Sequence, residues 1–327
     1  MANYVWIVDE PGGAFRKAEF PMPLLEANQV LVKIHASGLN PLDTKIRRGE
    51  ATHAQQPLPA VLGLDMAGII EEVASGVTSF EIGDEVYGMV GGVGGRQGTI
   101  AERIVVDADL LARKPKRLTM RQAAALPLSV ITAWEGLVDR ANVHEGQKVL
   151  IHAGAGGVGH IALQVARAFG ADVYSTVSPQ KAEIVKGFGA TPIDQVSMSV
   201  EDYVTKFTHG DGFDIIYDTV GGARLDASFH AVRRYTGHVV SILGWGTHSL
   251  APLSFRGATY SGVFTLLPLL TGKGFSHHGE ILRRAAALAD AGELVPLLTA
   301  QRFSIGEIEA AFASVTSGVI GKTALEF

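Results

Sequence analysis

The stretch from 148 to 167, KVLIHAGAGGVGHIALQVAR, limits what this chain can be more than any other. Val149, Leu150 and Ile151 follow one another without alternation, which reads as a strand buried on both faces. Gly154, Gly156, Gly157, Val158 and Gly159 come next in a G-x-G-x-x-G spacing, and a helix-like apolar run through Phe169 follows. Strand, glycine turn and helix in that order suit a dinucleotide pyrophosphate. Gly154 is expected to allow the tight turn, Gly156 to let the backbone approach the phosphates, and Gly159 to let helix and strand pack closely. The free N–H groups and positive dipole end of the helix then face the anion.

With 327 residues the chain exceeds what one hydrophobic core usually serves, so two domains are expected. A net charge of -5 argues against a general affinity for nucleic acid. No run approaches the ~18 apolar residues of a membrane span, and no secretory signal opens the chain, so the expected compartment is the cytoplasm. There are no cysteines. Disulfides, thiolate nucleophiles and four-cysteine zinc sites are therefore excluded together.

Up to about residue 120 the chain reads as mostly β. Residues 1–20 suggest a hairpin, 29–36 an alternating strand, and 69–74 and 101–106 two more strands. A loop at 37–43 leads into a short helix, and six glycines between 88 and 98 predict a mobile loop without regular structure. From Met120 helices alternate with strands. Helices are expected at 121–126 and 131–141, broken around Pro127, then strands at 172–177, 191–193, 213–217 and 238–243 with helices between them. That alternation predicts an α/β fold with a doubly wound parallel sheet, its ligand lying beyond the carboxyl ends of the strands. The last segment should hold helices at 280–291 and 305–316, short strands at 301–303 and 322–327, and a surface loop carrying His277 and His278.

Several stretches carry a resemblance: VLVKIHASGLNPLDTKIRRG (30–49), LPAVLGLDMAGIIEEVASGVTSFEIGDEVYG (58–88), AAALPLSVITAWEGL (123–137), the glycine fingerprint, DTVGG (218–222) and SGVIGKTALEF (317–327). The chain resembles a medium-chain dehydrogenase/reductase, and within it the zinc-independent quinone oxidoreductase branch, which includes zeta-crystallin. The resemblance implies a GroES-like, mostly-β substrate domain at 1–122 and 265–327 and a Rossmann domain binding NADP at 123–264. It also implies a site in the cleft between them and a homodimer through the Rossmann sheet edge. Zinc-dependent relatives place a cysteine and a histidine where this chain has Gly38 and Leu64, and Asp65 alone cannot make an open zinc site. No metal is expected.

An NAD-preferring site usually carries an acid about twenty residues past the glycines. Here the corresponding residues are Thr176 to Lys181, with Ser178 and Lys181 and no acid. In the family such a serine and lysine hold the 2′-phosphate of NADPH, so NADPH is the expected cofactor; a tyrosine that often assists is replaced by Gln195. The resemblance also places Thr132, Asp218, Gly221, Leu243 and Gly244 around the cofactor.

Without metal or thiol, the acceptor should already be electrophilic, such as a quinone or an α,β-unsaturated carbonyl. Asn40, Asp43 and Lys45 are the candidate catalytic residues. Asn40 matches a family loop asparagine beside the nicotinamide, and Asp43 reads equally as a helix cap. Lys45 stands where several quinone reductases have tyrosine. Two other readings stay open: an enoyl-thioester reductase on the same scaffold, and a nucleotide-binding protein without catalysis. The histidines, including His35, His152 and His160, read as structural.

Overall fold

In the computed structural model, which describes residues 3–22 and 24–327, the chain divides into two units. One is Met1–Leu128 with Leu266–Phe327, the other Ser129–Thr265.

In chain order the first unit contains β1 (Asn3–Val8), β2 (Phe15–Phe20), β3 (Gln29–Leu39), α1 (Pro41–Arg47), β4 (Ala60–Val61) and β5 (Asp65–Val73). β6 (Glu85–Met89), β7 (Arg103–Asp107), β8 (Leu111–Arg113) and α2 (Met120–Ala124) follow. β1 pairs antiparallel with β2 and with β4. The alternation read at 29–36 is real, but β3 runs on to Leu39 and nearly all of it is buried, because it pairs with both β5 and β7.

The glycine-rich stretch after Gly88 has no regular element beyond Met89, as read, yet it is not an open loop. Residues 88–93 are buried. Its ends are tied by backbone bonds: Val90 N–H to Leu64 O (2.8 Å) and Gly98 N–H to Val61 O (3.1 Å). Closely approaching backbones, which only glycine permits, explain a composition that otherwise looks mobile.

α3 (Pro127–Trp134) begins at Pro127 itself. Proline stands at the first helical position, where its missing N–H has no partner to lose, so it starts this helix instead of breaking one. The helix continues directly as a π-helical segment, Glu135–Arg140.

The second unit then alternates β9 (Lys148–His152), α4 (Gly159–Ala168), β10 (Asp172–Val177), α5 (Ala182–Gly187), β11 (Thr191–Asp194) and α6 (Val200–Thr208). β12 (Ile215–Asp218), α7 (Ala223–Ala231), β13 (His238–Ser241), α8 (Ala251–Arg256) and β14 (Thr259–Gly262) complete it. All six strands are parallel in the order β11-β10-β9-β12-β13-β14. The order reverses between β9 and β12, the switch point where doubly wound sheets bind ligands. Leu150, Ile193, Phe213, Ile216 and Phe229 form its core, as the unbroken apolar runs require.

The chain returns to the first unit with α9 (Leu267–Thr271), α10 (Phe275–Ala291), β15 (Phe303–Ser304), α11 (Ile308–Thr316) and β16 (Thr323–Glu326). β16 pairs antiparallel with β3. His277 and His278 are not in a surface loop. α10 starts five residues before the expected Glu280, and His278, Ile281, Leu282, Ala285 and Ala289 form its buried stripe.

Candidate functional site

The fingerprint turn follows β9 at the switch point. Its left-handed residue is Ala153 (φ 54°), one position before the glycines, so the tight turn is made there and not at Gly154. Gly154 is needed for a different reason: a Cβ there would lie 2.3 Å from Ser175 Oγ. That hydroxyl accepts from Gly154 N–H (2.9 Å) and donates to Ile151 O (2.8 Å), clipping the turn to β9 and β10. Gly159 packs as read, since a Cβ would come within 2.2 Å of Ala153 O. Gly156 and Gly157 are exposed, and Val158 caps α4. At the entry to α4 the N–H groups of Gly156, His160, Ile161 and Ala162 are already bonded, to the carbonyls of Ala153, Gly156 and Val158, so the amides turned toward a ligand are those of Gly157, Val158 and Gly159.

At the end of β10, Ser178 and Lys181 are half-buried around the short turn Pro179–Lys181. Gln195, just past β11, donates its N–H to Val177 O (3.2 Å). Asp218 ends β12 fully buried. Its Oδ1 accepts from Val220 and Gly221 N–H, each at 3.0 Å, and its Oδ2 from Ser241 Oγ at 2.7 Å. Ser241 Oγ in turn accepts from Leu243 N–H (3.1 Å). Gly221 (φ 77°) lets the turn close on Leu243, whose carbonyl a Cβ would meet at 2.6 Å. Asp218, Gly221, Leu243 and Ser241 therefore form one structure at the carboxyl ends of β12 and β13. Gly244 follows, against Tyr260 Oη. Thr132 is buried in α3, with Thr265 Oγ1 3.0 Å from its hydroxyl. Exposed amides at a helix start, with a cation and no acid at the next strand end, fit a phosphorylated dinucleotide.

His152 is buried between Thr176 Oγ1 (2.7 Å) and Ser228 Oγ (3.0 Å). Burial pushes its pKa down to about 4, so it is a neutral hydrogen-bonding residue.

In the first unit the candidate catalytic residues separate. Asn40 and Asp43 are buried, whereas Lys45 is exposed on α1. Asp43 Oδ2 accepts from Asn40 N–H (2.7 Å) and so caps α1. Its Oδ1 has no hydrogen-bond partner among the described residues, and burial raises its pKa to about 7. Asn40 Nδ2 donates to Asp65 Oδ2 (3.0 Å), and Lys322 Nζ donates to Asn40 Oδ1. Asp65 Oδ1 accepts from Leu128 N–H (3.0 Å). Both ends of the Asn40 amide are thus engaged inside this unit. Lys322 was not singled out in the sequence; the signal was a lone lysine entering an apolar terminal strand, and Asp65 a lone acid in the run LGLDMAG.

These residues do not fit a catalytic zinc ion. A side chain at Gly38 would put its Cβ 2.0 Å from Ala124 O, and Leu64 offers no donor. Asp65 already faces the Lys322 ammonium. Among the described residues no three His, Cys, Asp or Glu side chains gather in a metal-holding group. No helix among them is long and apolar enough to cross a membrane.

A parallel sheet of this order with a glycine turn at its switch point is the architecture of a dinucleotide-binding domain. Comparison with known proteins agrees. The Alcohol dehydrogenase GroES-like domain matches residues 26–116 and the Zinc-binding dehydrogenase family residues 157–269. The chain is 35% identical to a 2-methylene-furan-3-one reductase of Solanum lycopersicum, covering 91% of this chain and 71% of that one. It is 33% identical to a chloroplastic NADPH-dependent alkenal/one oxidoreductase of Arabidopsis thaliana, covering 90% and 71%. The crystal structure of an alcohol dehydrogenase superfamily protein from Novosphingobium aromaticivorans superposes with a TM-score of 0.97, at 55% identity over 99% of each chain. The chain belongs to the medium-chain dehydrogenase/reductase superfamily, among its enone- and quinone-type reductases.

Proposed function

We propose that this protein reduces a conjugated carbonyl acceptor, an enone or a quinone, with NADPH and without zinc. The observation that carries the reading is the end of β10, where Ser178 and Lys181 stand and no acid does. An acid there would bond a ribose 2′-hydroxyl and repel a 2′-phosphate; a lysine reverses that preference. NADPH supplies the hydride when bound. The amides of Gly157, Val158 and Gly159 would hold its pyrophosphate, Ser178 and Lys181 its 2′-phosphate, and Thr132, Leu243 and Gly244 its nicotinamide end. Asp218 and Gly221 keep the Leu243 loop in place.

On the acceptor side, charge grows on a conjugated oxygen as hydride arrives, and a cation or hydrogen-bond donor stabilises it. Lys45 is the exposed cation of α1 and takes that role in this reading. Asn40 and Asp43 fix where α1 begins. The names of the tomato and Arabidopsis relatives, both acting on enone-type compounds, favour this acceptor class over simple aldehydes.

β14 is the last strand of its sheet, and Thr259, Tyr260 and Gly262 on it are exposed. We assign to it the homodimer contact, which sedimentation of the protein and of a Tyr260→Lys variant checks.

The function is tested by NADPH and NADH oxidation with a panel of quinones, enones, enoyl thioesters and simple aldehydes, alongside metal analysis of the active protein. Turnover of enones or quinones, faster with NADPH and with no bound zinc, is expected. Equal use of NADH, or turnover of none, overturns the reading.

A further inference from the structure

The α-helix carrying Thr132 does not simply end. It widens into the π-helical segment Glu135–Arg140, in which Ala141 N–H reaches back five residues to Gly136 O (3.1 Å). A π-turn is rare beside an α-turn, so something must hold it, and such turns recur at functional sites. Here the cause is visible. Tyr217, fully buried near the carboxyl end of β12, donates its hydroxyl to Thr132 O at 2.7 Å. That carbonyl would serve Gly136 N–H in a regular α-helix.

The edge of the ring also points at the helix at Gly136. A Cβ at 136 would stand 2.2 Å from Tyr217 Cε2 and 3.1 Å from Cζ, so only glycine admits the ring. Hydroxyl and ring together displace the backbone where the coil widens. On the same turn, Thr265 Oγ1 is 3.0 Å from Thr132 Oγ1 and 3.2 Å from Glu135 Oε2. Thr265 lies three residues past the end of β14, so this contact puts the Thr132 hydroxyl on the carboxyl side of the sheet. That is the side on which a doubly wound sheet binds its ligand.

We propose that Tyr217 is a positioning residue of the cofactor site: it wedges the helix open at Gly136 and fixes the Thr132 carbonyl, so setting where the Thr132 hydroxyl meets the nicotinamide end. The proposal rests on the reading that Thr132 belongs to the NADPH site. Tyr217 touches neither substrate nor cofactor, and its effect runs through Thr132.

The test compares wild type, Tyr217→Phe, Thr132→Val and the double variant, measuring dissociation constants for NADPH and for 2′,5′-ADP, which lacks the nicotinamide. Tyr217→Phe should weaken NADPH binding about five- to tenfold, as loss of one buried hydrogen bond predicts, and leave 2′,5′-ADP binding unchanged. A merely structural role would weaken both ligands together or neither. The double variant should bind NADPH no more weakly than Thr132→Val alone. Should Tyr217→Phe prove too unstable to assay, Gly136→Ala, which keeps the hydroxyl and pushes the ring, should show the same split between ligands. Unchanged NADPH binding in Tyr217→Phe beside a weakened Thr132→Val, or losses that add independently in the double variant, overturns the proposal alone. A wild type that binds no NADPH overturns the functional reading with it.

Discussion

Lys322 Nζ stands 4.0 Å from Asp65 Oδ2, and both side chains are buried. Each charge is out of water, and burial moves each toward neutrality: it lowers the Lys322 pKa and raises that of Asp65 to about 6. Their mutual attraction, with Asn40 bridging the two, opposes that drift. Removing one partner strands the other. Lys322→Met should therefore cost about 3–5 kcal/mol of stability, the usual range for breaking a buried pair. The double variant Asp65→Asn/Lys322→Met should recover much of the loss. Denaturant midpoints of the three proteins check this, and a single-variant cost under ~1 kcal/mol contradicts it.

Asp43 sets a pH dependence of its own. Its folded pKa is raised from 3.8 to about 7, chiefly by burial. Between those values the folded protein binds the proton more tightly than the unfolded chain, so this group loses stability as pH rises through the window. Asp43→Asn removes the titration. Its melting temperature should fall less than that of wild type between weakly acid and neutral buffers. Parallel profiles for the two proteins would contradict the assignment.

His152 acts with the opposite sign. Burial lowers its pKa from 6.5 to about 4, so the unfolded chain takes up the proton first as pH falls. Its contribution is intact above the unfolded value and is lost progressively toward the folded one. His152→Gln, which retains hydrogen bonding to Thr176 and Ser228, should flatten the acid limb of the stability profile. A thermal melt series at acid pH checks it; an acid limb as steep as that of wild type contradicts it.

How much of this was legible in the sequence depends on where the cause lies. The fingerprint between β9 and α4 was legible because its cause is local: an apolar run, glycines at fixed spacing and a helical stripe. Long-range causes were not. Nothing near Lys322 announces that its ammonium will meet Asn40, 282 positions earlier in the chain. The left-handed residue at Ala153 was hidden because glycines beside it seemed sufficient for the turn. The widening after Trp134 was hidden because its agent, Tyr217, comes from a distant strand. The start of α10 was missed because its buried stripe begins with a histidine, a poor marker of a core position.

Cofactor preference should respond to one side chain. Lys181→Glu reverses the charge at the end of β10, where unit charges 4 Å apart interact by ~1 kcal/mol in water and about 4 at intermediate dielectric. The KM for NADPH should rise by about ten- to a hundredfold, while that for NADH changes little, since about 1.4 kcal/mol is a factor of ten. Steady-state kinetics with both cofactors decide it. Equal effects on the two would mean that Lys181 does not meet the 2′-phosphate.

The most direct test follows the hydride itself. With NADPH deuterated at the transferring position and an unsaturated aldehyde as acceptor, mass and NMR analysis of the product locates the label. Conjugate reduction without a metal predicts a saturated aldehyde with deuterium on the β-carbon. An allylic alcohol labelled at the former carbonyl carbon would contradict the account.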